Sequence, residues 1–463
     1  MSGHIYPGPE PTPGPGGWPG QMPPAGWQPP VPPAPPRKSR AGLWAGIAAG
    51  AALLLVLCCT GGVLLVRFAN HDPGPGPRPT GGDGVLQIGV DLPFTGANAI
   101  VSNDTYNAMQ IYLDQLGGVA GSYPVALYKY DDSTAAGWDE QTCRRNADRH
   151  VANKAEVAVI GTFNGGCSRT EIPILNKAGM LMVSHANTYP GLTQQWDSGE
   201  PDVYYTSGPR NYARVFPTDE GQGDALARVV AIDLKAKACW VVTDNTLYGN
   251  GVAAAFKRSA NILGIHVYGP DSWLDKGGNY VNPFLDPYAL YGADCIVAAG
   301  SFANHGADLM RDKAAFWPNS NIPFLASDGF VAVDDFNRMS GADGAILVTA
   351  GLDYGDIVKR SPNAQTLAKA FKTKYGHDLN NLYALYGAQA LQLVLAAIQH
   401  SDGSRESIRA QLMGGGSSTI PHPKSILGPQ VSISARGDVT PQEFEVYHVS
   451  GGQLQAAKIV TVT

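Results

Sequence analysis

Four short segments carry side chains suited to holding a small charged molecule. The run 161–168 (GTFNGGCS) places glycines before a helix expected to begin near Ser168, so that backbone N–H groups can approach a ligand closely and a helix N-terminus favours an anion. It lacks the Gly-Lys-Ser/Thr of a phosphate-binding loop, which excludes a nucleotide. The run 184–188 (SHANT) offers hydroxyl and amide groups, while 244–249 (DNTLYG) and 327–329 (SDG) add a tyrosine and a carboxylate. An anion cradle facing an aromatic ring and an acid suits a small zwitterion, its carboxylate on the first pair of segments and its ammonium on Asp328. Bland roles compete here: an Asp after a strand also caps helices, and Tyr248-Gly249 also makes a turn. No Gly-x-Ser-x-Gly elbow or nucleophile–base pair stands at interpretable spacing, so no enzyme is expected. The ten histidines are scattered without H-E-x-x-H, and no Cys-x-x-Cys occurs, so metal chemistry has no support and no cofactor is expected.

The elements that must position these segments are legible as an alternation. Strand-like apolar runs occur at 85–90, 125–130, 157–161 and 181–184, separated by stretches long enough for helices. A second series follows at 239–243, 265–268, 295–299, 323–326 and 345–349. Met109, Tyr112, Leu113 and Leu116 form one helical stripe, and Leu391, Val394, Leu395 and Ile398 form another. Continuous apolar strands alternating with helices predict parallel sheets covered on both faces, and two series predict two α/β lobes. Ligands of such sheets bind at the carboxyl ends of the strands, where all four segments fall.

Before position 85 the composition changes. Fourteen of the first 36 residues are proline and only Glu10 is charged, so residues 1–41 are expected to be a polyproline-like, solvated tail. Three of the four residues 37–40 are basic, and Gly42–Val66 is then free of charge. At 25 residues this run exceeds the roughly 20 needed to cross a bilayer, and the basic flank places the tail in the cytoplasm. A cleaved signal peptide needs a shorter leader and a small-x-small site. Lipidation at Cys58 or Cys59 is a further alternative, disfavoured by Leu57 at the position a small residue would hold. A Pro/Gly-rich stalk, 67–84, leads to an external domain, 85–463. Its four cysteines, Cys143, Cys167, Cys239 and Cys295, fit an oxidising compartment. The formal charge of −6, with dispersed basic residues, argues against a nucleic-acid partner.

The block 157–193, with its strand ending in Ile-Gly, Pro before Ile-Leu-Asn, and Ser-x-Ala-x-Thr ending in Gly-Leu-Thr, resembles the first-lobe signature of periplasmic binding proteins of the leucine/isoleucine/valine type. Asp131-Asp132, Tyr248-Gly249 and the late Gly428…Gly437-Asp438 fit the same family, across nearly all of 85–463. The resemblance implies the bilobed type I fold, two Rossmann-like lobes joined by a three-strand hinge. Lobe 1 would comprise about 85–217 and 351–430, and lobe 2 about 218–350 and 431–463. The crossings would lie near Phe216–Asp219, Ala350–Gly351 and Pro429–Ser434. The family's carboxylate-binding serine falls at Gly165 or Gly166, leaving backbone N–H groups, with Ser168 or Cys167 as substitutes. Its Ala and Thr contacts match Ala186 and Thr188, with Asn187 between them, and His185 stands where proline is common. Tyr248, Asp328 and Phe302 match its tyrosine, its ammonium-binding acid and its pocket aromatic. The family disulfide joins two first-lobe loops near Cys143 and Cys167. Cys239 and Cys295 open neighbouring strands, either as a second bridge or as two buried thiols. The function implied is a membrane-tethered binding protein that delivers an amino-acid-like ligand to ABC permease subunits. A sensor ectodomain signalling through a partner is the alternative.

Overall fold

The computed structural model describes residues 84–462, apart from 136, 286–291, 318–320, 332–340, 417 and 422–423, and the side chains of 97, 247 and 303. The tail, the apolar run 42–66 with Cys58 and Cys59, and the stalk to residue 83 lie outside the described residues.

Two sheets form. The first contains β1 (Leu86–Leu92), β2 (Tyr123–Asp131), β3 (Glu156–Gly161), β4 (Leu181–Ser184) and β5 (Tyr212–Arg214). These strands are parallel and lie in the order β2-β1-β3-β4-β5, with the short strand Val119–Ala120 antiparallel at the β2 edge. The second sheet contains β6 (Ala238–Thr243), β7 (His266–Ser272), β8 (Cys295–Ala299), β9 (Phe324–Ser327) and β10 (Ile346–Ala350). Its order, β7-β6-β8-β9-β10, repeats that of the first, and β11 (Gln442–Ser450) and β12 (Gln453–Val462) extend it as an antiparallel pair. In both sheets the order reverses beside the first strand, which opens a crevice at the carboxyl ends there. Each expected strand forms within a few residues of its expected place; β5, β11 and β12 were not foreseen.

The central strands are buried on both faces, as their unbroken apolar character requires: every residue of β3, β4, β8, β9 and β10 is buried. The helix Leu382–Gln399 is long and apolar enough, by length and composition, to cross a membrane. It is instead a core helix, packed on Ala99–Gln115 and burying Leu385, Leu391, Leu393, Val394, Leu395 and Ile398. Each such side chain contributes about 1.5–3 kcal/mol relative to exposure, which is why its hydropathy is high without a bilayer.

The chain passes from β5 to the second sheet at 215–219, returns after β10, and passes again just before β11. Residues 431–440, expected on the second lobe, lie on the first. Arg214 N donates to Gly437 O (2.8 Å), and the buried Arg214 guanidinium pairs with Asp438 at 2.8 Å. The last crossing therefore falls near Pro441, beyond Pro429–Ser434. It lies beside the first crossing, because Gln442 Oε1 accepts from Thr218 N at 2.9 Å. Cys143 and Cys167 form a disulfide (Cα–Cα 5.6 Å). Cys239 and Cys295 are direct partners on β6 and β8, and form a second bridge (Cα–Cα 4.6 Å) rather than two thiols.

Candidate functional site

A cavity of about 290 Å³ opens between segments of both sheets. Its first wall is the start of the helix α3 (Gly165–Lys177), which follows β3. The helix begins at Gly165, one turn earlier than the expected Ser168, because the chain turns at Asn164, whose extended backbone makes it the N-cap. The Asn164 side chain makes no cap hydrogen bond, and its Oδ1 is buried with no partner among the described residues. Gly165, Gly166 and Asn164 line the cavity, so the first-turn N–H groups of α3 face it. A Cβ at Gly166 would stand 2.4 Å from the partly exposed Trp138 ring, so a larger residue there requires that ring to swing away.

Ala186, Asn187 and Thr188, in the loop after β4, line the same wall. The Asn187 amide is spent internally: Nδ2 donates to Thr162 O and Phe163 O, both at 2.9 Å, and Oδ1 accepts from Tyr212 OH at 2.8 Å. Ser168 differs from expectation. It is fully buried, its Oγ contacts Asn187 Oδ1 (2.5 Å) and Thr162 Oγ1 (2.9 Å), and it does not line the cavity. It sits on the inner face of α3, where its hydroxyl fixes the turn rather than facing a ligand. His185 lies behind the wall, its ring near Phe163 (5.9 Å) and Tyr383 (6.4 Å). Complete burial pushes its pKa down to about 3, so it is neutral.

The opposite wall comes from the second sheet and the adjoining helices. Tyr248 stands near the start of Leu247–Ile262, a helix capped by Thr246 Oγ1 accepting from Gly249 N at 3.0 Å. Asp328 follows β9 directly. Tyr248 OH donates to Asp328 Oδ1, and Gln222 Nε2 donates to the same oxygen at 2.8 Å. Gln222 belongs to α4 (Asp219–Arg228), capped by Thr218 Oγ1 accepting from Gly221 N at 3.1 Å. Three residues earlier on the same face stands Asp219. It is buried, it lines the cavity, and its Oδ1 has no hydrogen-bond partner among the described residues.

Asp219 and Asp328 thus present two acids to one cavity. Burial first, and then the Asp328 charge, push Asp219 up to about 7. Burial also raises Asp328, against the lowering effect of the Tyr248 and Gln222 hydrogen bonds. A cation between them would relieve both effects, since an opposite charge at close range restores the ionised carboxylates. Phe163 and Tyr383, packed edge to face at 4.9 Å, supply aromatic wall. Phe302, expected in that role, does not line the cavity. At the rim, Arg169 Nε donates to Tyr204 OH (2.9 Å), and Tyr204 OH donates to Glu200 (2.6 Å).

Of the nine expected residues, Gly165, Gly166, Ala186, Asn187, Thr188, Tyr248 and Asp328 meet at this cavity. Asp219, Asn164, Phe163, Tyr383, Tyr189 and Arg169 join them unforeseen. Asp219 carried a signal, because it closes the first expected crossing and opens a helix.

Two doubly wound sheets of the same strand order, with a polar cavity at the carboxyl ends of their strands, define a bilobed binding protein of the type I kind. The periplasmic binding protein family model matches residues 85–452, and the chain belongs to that family. It is 25% identical to the Leu/Ile/Val-binding protein BraC3 of Rhizobium johnstonii over 378 residues, covering 81% of this chain and 94% of that one. It is also 25% identical to the Leu/Ile/Val/Thr-binding protein of Salmonella typhimurium, over 79% of this chain and 89% of that one. Among solved structures, a leucine-binding protein from Thermotoga maritima superposes with a TM-score of 0.64 at 21% identity, over 81% of this chain and 99% of that one. A solute-binding protein from Rhodopseudomonas palustris in complex with benzoate has the same fold, with a TM-score of 0.61 at 19% identity over 82% of this chain and 97% of that one.

Proposed function

We propose that the chain is a membrane-tethered extracellular solute-binding protein that captures a small amino-acid-like zwitterion and hands it to the permease of an ABC importer. The observation that carries this reading is the pairing of Asp219 and Asp328 across the cavity from the N-terminus of α3. The two acids take the ammonium, Tyr248 orients Asp328, and the N–H groups of Gly165 and Gly166 take the carboxylate. Phe163 and Tyr383 bound the side chain of the ligand. Binding closes the lobes about the three crossings and excludes water, which strengthens both charge contacts. The names of the curated relatives, which bind leucine, isoleucine and valine, support an amino acid as ligand. A benzoate-binding neighbour shows that the fold also holds acids without an ammonium. The apolar run 42–66 behind a basic flank supports a single-pass anchor with the N-terminus in the cytoplasm.

The test is a calorimetric and thermal-shift screen of the full-length chain against the amino acids, with benzoate and simple amines as partial ligands. An amino acid that binds more tightly than either fragment is the expected result. A preference for benzoate over every amino acid would remove the ammonium from the proposal. Uptake of the identified ligand by cells with and without the gene distinguishes delivery from sensing, and protease accessibility of terminal tags in intact cells tests the anchor.

A further inference from the structure

Inside the first lobe, away from the cavity's polar walls, the topology gathers four carboxylates and one imidazole. Asp91 lies on β1, Asp132 just after β2, Glu156 on β3 and Glu171 on α3, while His150 belongs to the helix Glu140–Ala152. All five are 0% exposed. Ligand atoms of Asp91, His150 and Glu171 lie within 4.8 Å of one another. Three donors round one ion at about 2.1 Å average no more than about 3.6 Å apart, so Asp91 Oδ2 and His150 Nε2, at 3.1 Å, already have the spacing of neighbouring ligands, and Glu171 would close on them by up to about 1 Å.

The histidine is set for the task. Its Nδ1 contacts Glu156 Oε1, its Nε2 lies 3.1 Å from Asp91 Oδ2, and Tyr130 OH donates to the other Glu156 oxygen at 2.8 Å. A carboxylate on one ring nitrogen, fixing the tautomer and orienting the other nitrogen inward, is how metal-binding imidazoles are commonly held. Beyond His150 itself, whose two ring nitrogens pair with Asp91 and Glu156, little positive charge reaches the four carboxylates. The nearby Arg405 guanidinium is engaged by the carbonyl oxygens of His150, Val151, Asn153 and Glu156 rather than by a carboxylate. Both oxygens of Asp132 and Oε2 of Glu171 are buried without a hydrogen-bond partner among the described residues. Carboxyls neutralised by protons would donate those protons to neighbouring oxygens, and Asp132 makes no such bond.

We propose that Asp91, His150 and Glu171, with Asp132 as a further donor, form a buried site for a borderline divalent cation of the manganese or zinc class. One imidazole among carboxylates favours such ions over calcium or magnesium, which prefer oxygen alone. The cation ties β1 to α3, the helix whose N-terminus lines the cavity. It also offsets negative charge that burial makes costly.

The test is metal analysis of the full-length chain, purified without added metal, followed by chelation and add-back of MnCl2, ZnCl2 or CaCl2 with thermal unfolding as readout. The expected result is close to one transition ion per chain, a lowered Tm after EDTA, and restoration by manganese or zinc. Glu171→Gln, which removes a direct ligand, should reduce metal affinity by more than the roughly 10–100-fold that loss of an outer-shell partner costs. Chelation and add-back without effect on wild-type Tm, in a chain that carries no metal, would overturn the site and leave protons as the neutralising charge. Restoration by calcium alone would overturn the assignment of His150 as a ligand. The wild-type titration decides the matter even where Glu171→Gln fails to fold.

Discussion

At the scale of single residues, Asp219 and Asp328 divide the work of one charge. Asp328 already accepts hydrogen bonds from Tyr248 and Gln222, whereas Asp219 presents an unsatisfied oxygen. Asp328→Ala removes a buried, hydrogen-bonded charge partner and is expected to weaken amino-acid binding by about 2–5 kcal/mol, read by calorimetry. Unchanged affinity would move the ammonium elsewhere. The raised pKa of Asp219, about 7 against an ordinary 3.8, has a stability consequence of definite sign. Between those values the folded chain holds a proton that the unfolded chain has released, so this residue's contribution to stability falls as pH rises from about 4 to about 7. Asp219→Asn removes that dependence. The difference in unfolding free energy between wild type and variant should therefore change across this pH window in the ligand-free protein, with the variant gaining towards pH 7. A parallel pair of curves would refute the assignment. Ligand affinity should move in the opposite sense, weakening below pH 7 as Asp219 takes up its proton.

At the scale of elements, the decisive contacts are close approaches that only small residues permit. Gly223 on α4 meets the next helix so tightly that a Cβ would stand 2.4 Å from both the Ala255 Cβ and the Phe256 backbone nitrogen. Gly223→Ala is expected to cost about 1–3 kcal/mol by forcing those helices apart. It should also displace Asp219 and Gln222, so that affinity falls together with Tm. Loss of stability alone would show that the helix shifts without disturbing the site. The elements that were legible in the sequence were those with one strong period. The buried strands and the Leu382–Gln399 stripe fall into this group. β5 has three residues, too short for any period to show. β11 and β12 mix buried and exposed positions, though the turn between them, Gly451-Gly452 with both φ positive, is a common hairpin turn. Tyr248 and Asp328 were legible because each follows a strand. Ser168 was misread because its type suits a ligand, while its position one turn into α3 directs it inward. The Asp91, His150 and Glu171 cluster was invisible, because its members sit on three separate elements with no local spacing to join them.

At the scale of the whole molecule, both lobes are assembled from distant parts of the chain. The helix Leu382–Gln399 packs against the first lobe after the second has been traversed, and β11 and β12 complete the second sheet from the far end. A ligand bound between the lobes should therefore stabilise the described domain as a unit. At a hundredfold excess over its Kd the gain is about 2.7 kcal/mol, and it should appear as an upward shift of one cooperative transition. Two transitions, only one of them moved by ligand, would show that the lobes unfold independently. The interleaving also dictates an order of events during synthesis. The first lobe lacks its covering helices until about residue 413 has been made, and the second lacks its last strand until the segment near residue 460. A nascent chain stalled in the 420s would lack the antiparallel strands that cover the β10 edge, leaving unpaired backbone groups there. Such a chain keeps an open sheet edge at β10 until its last strands appear.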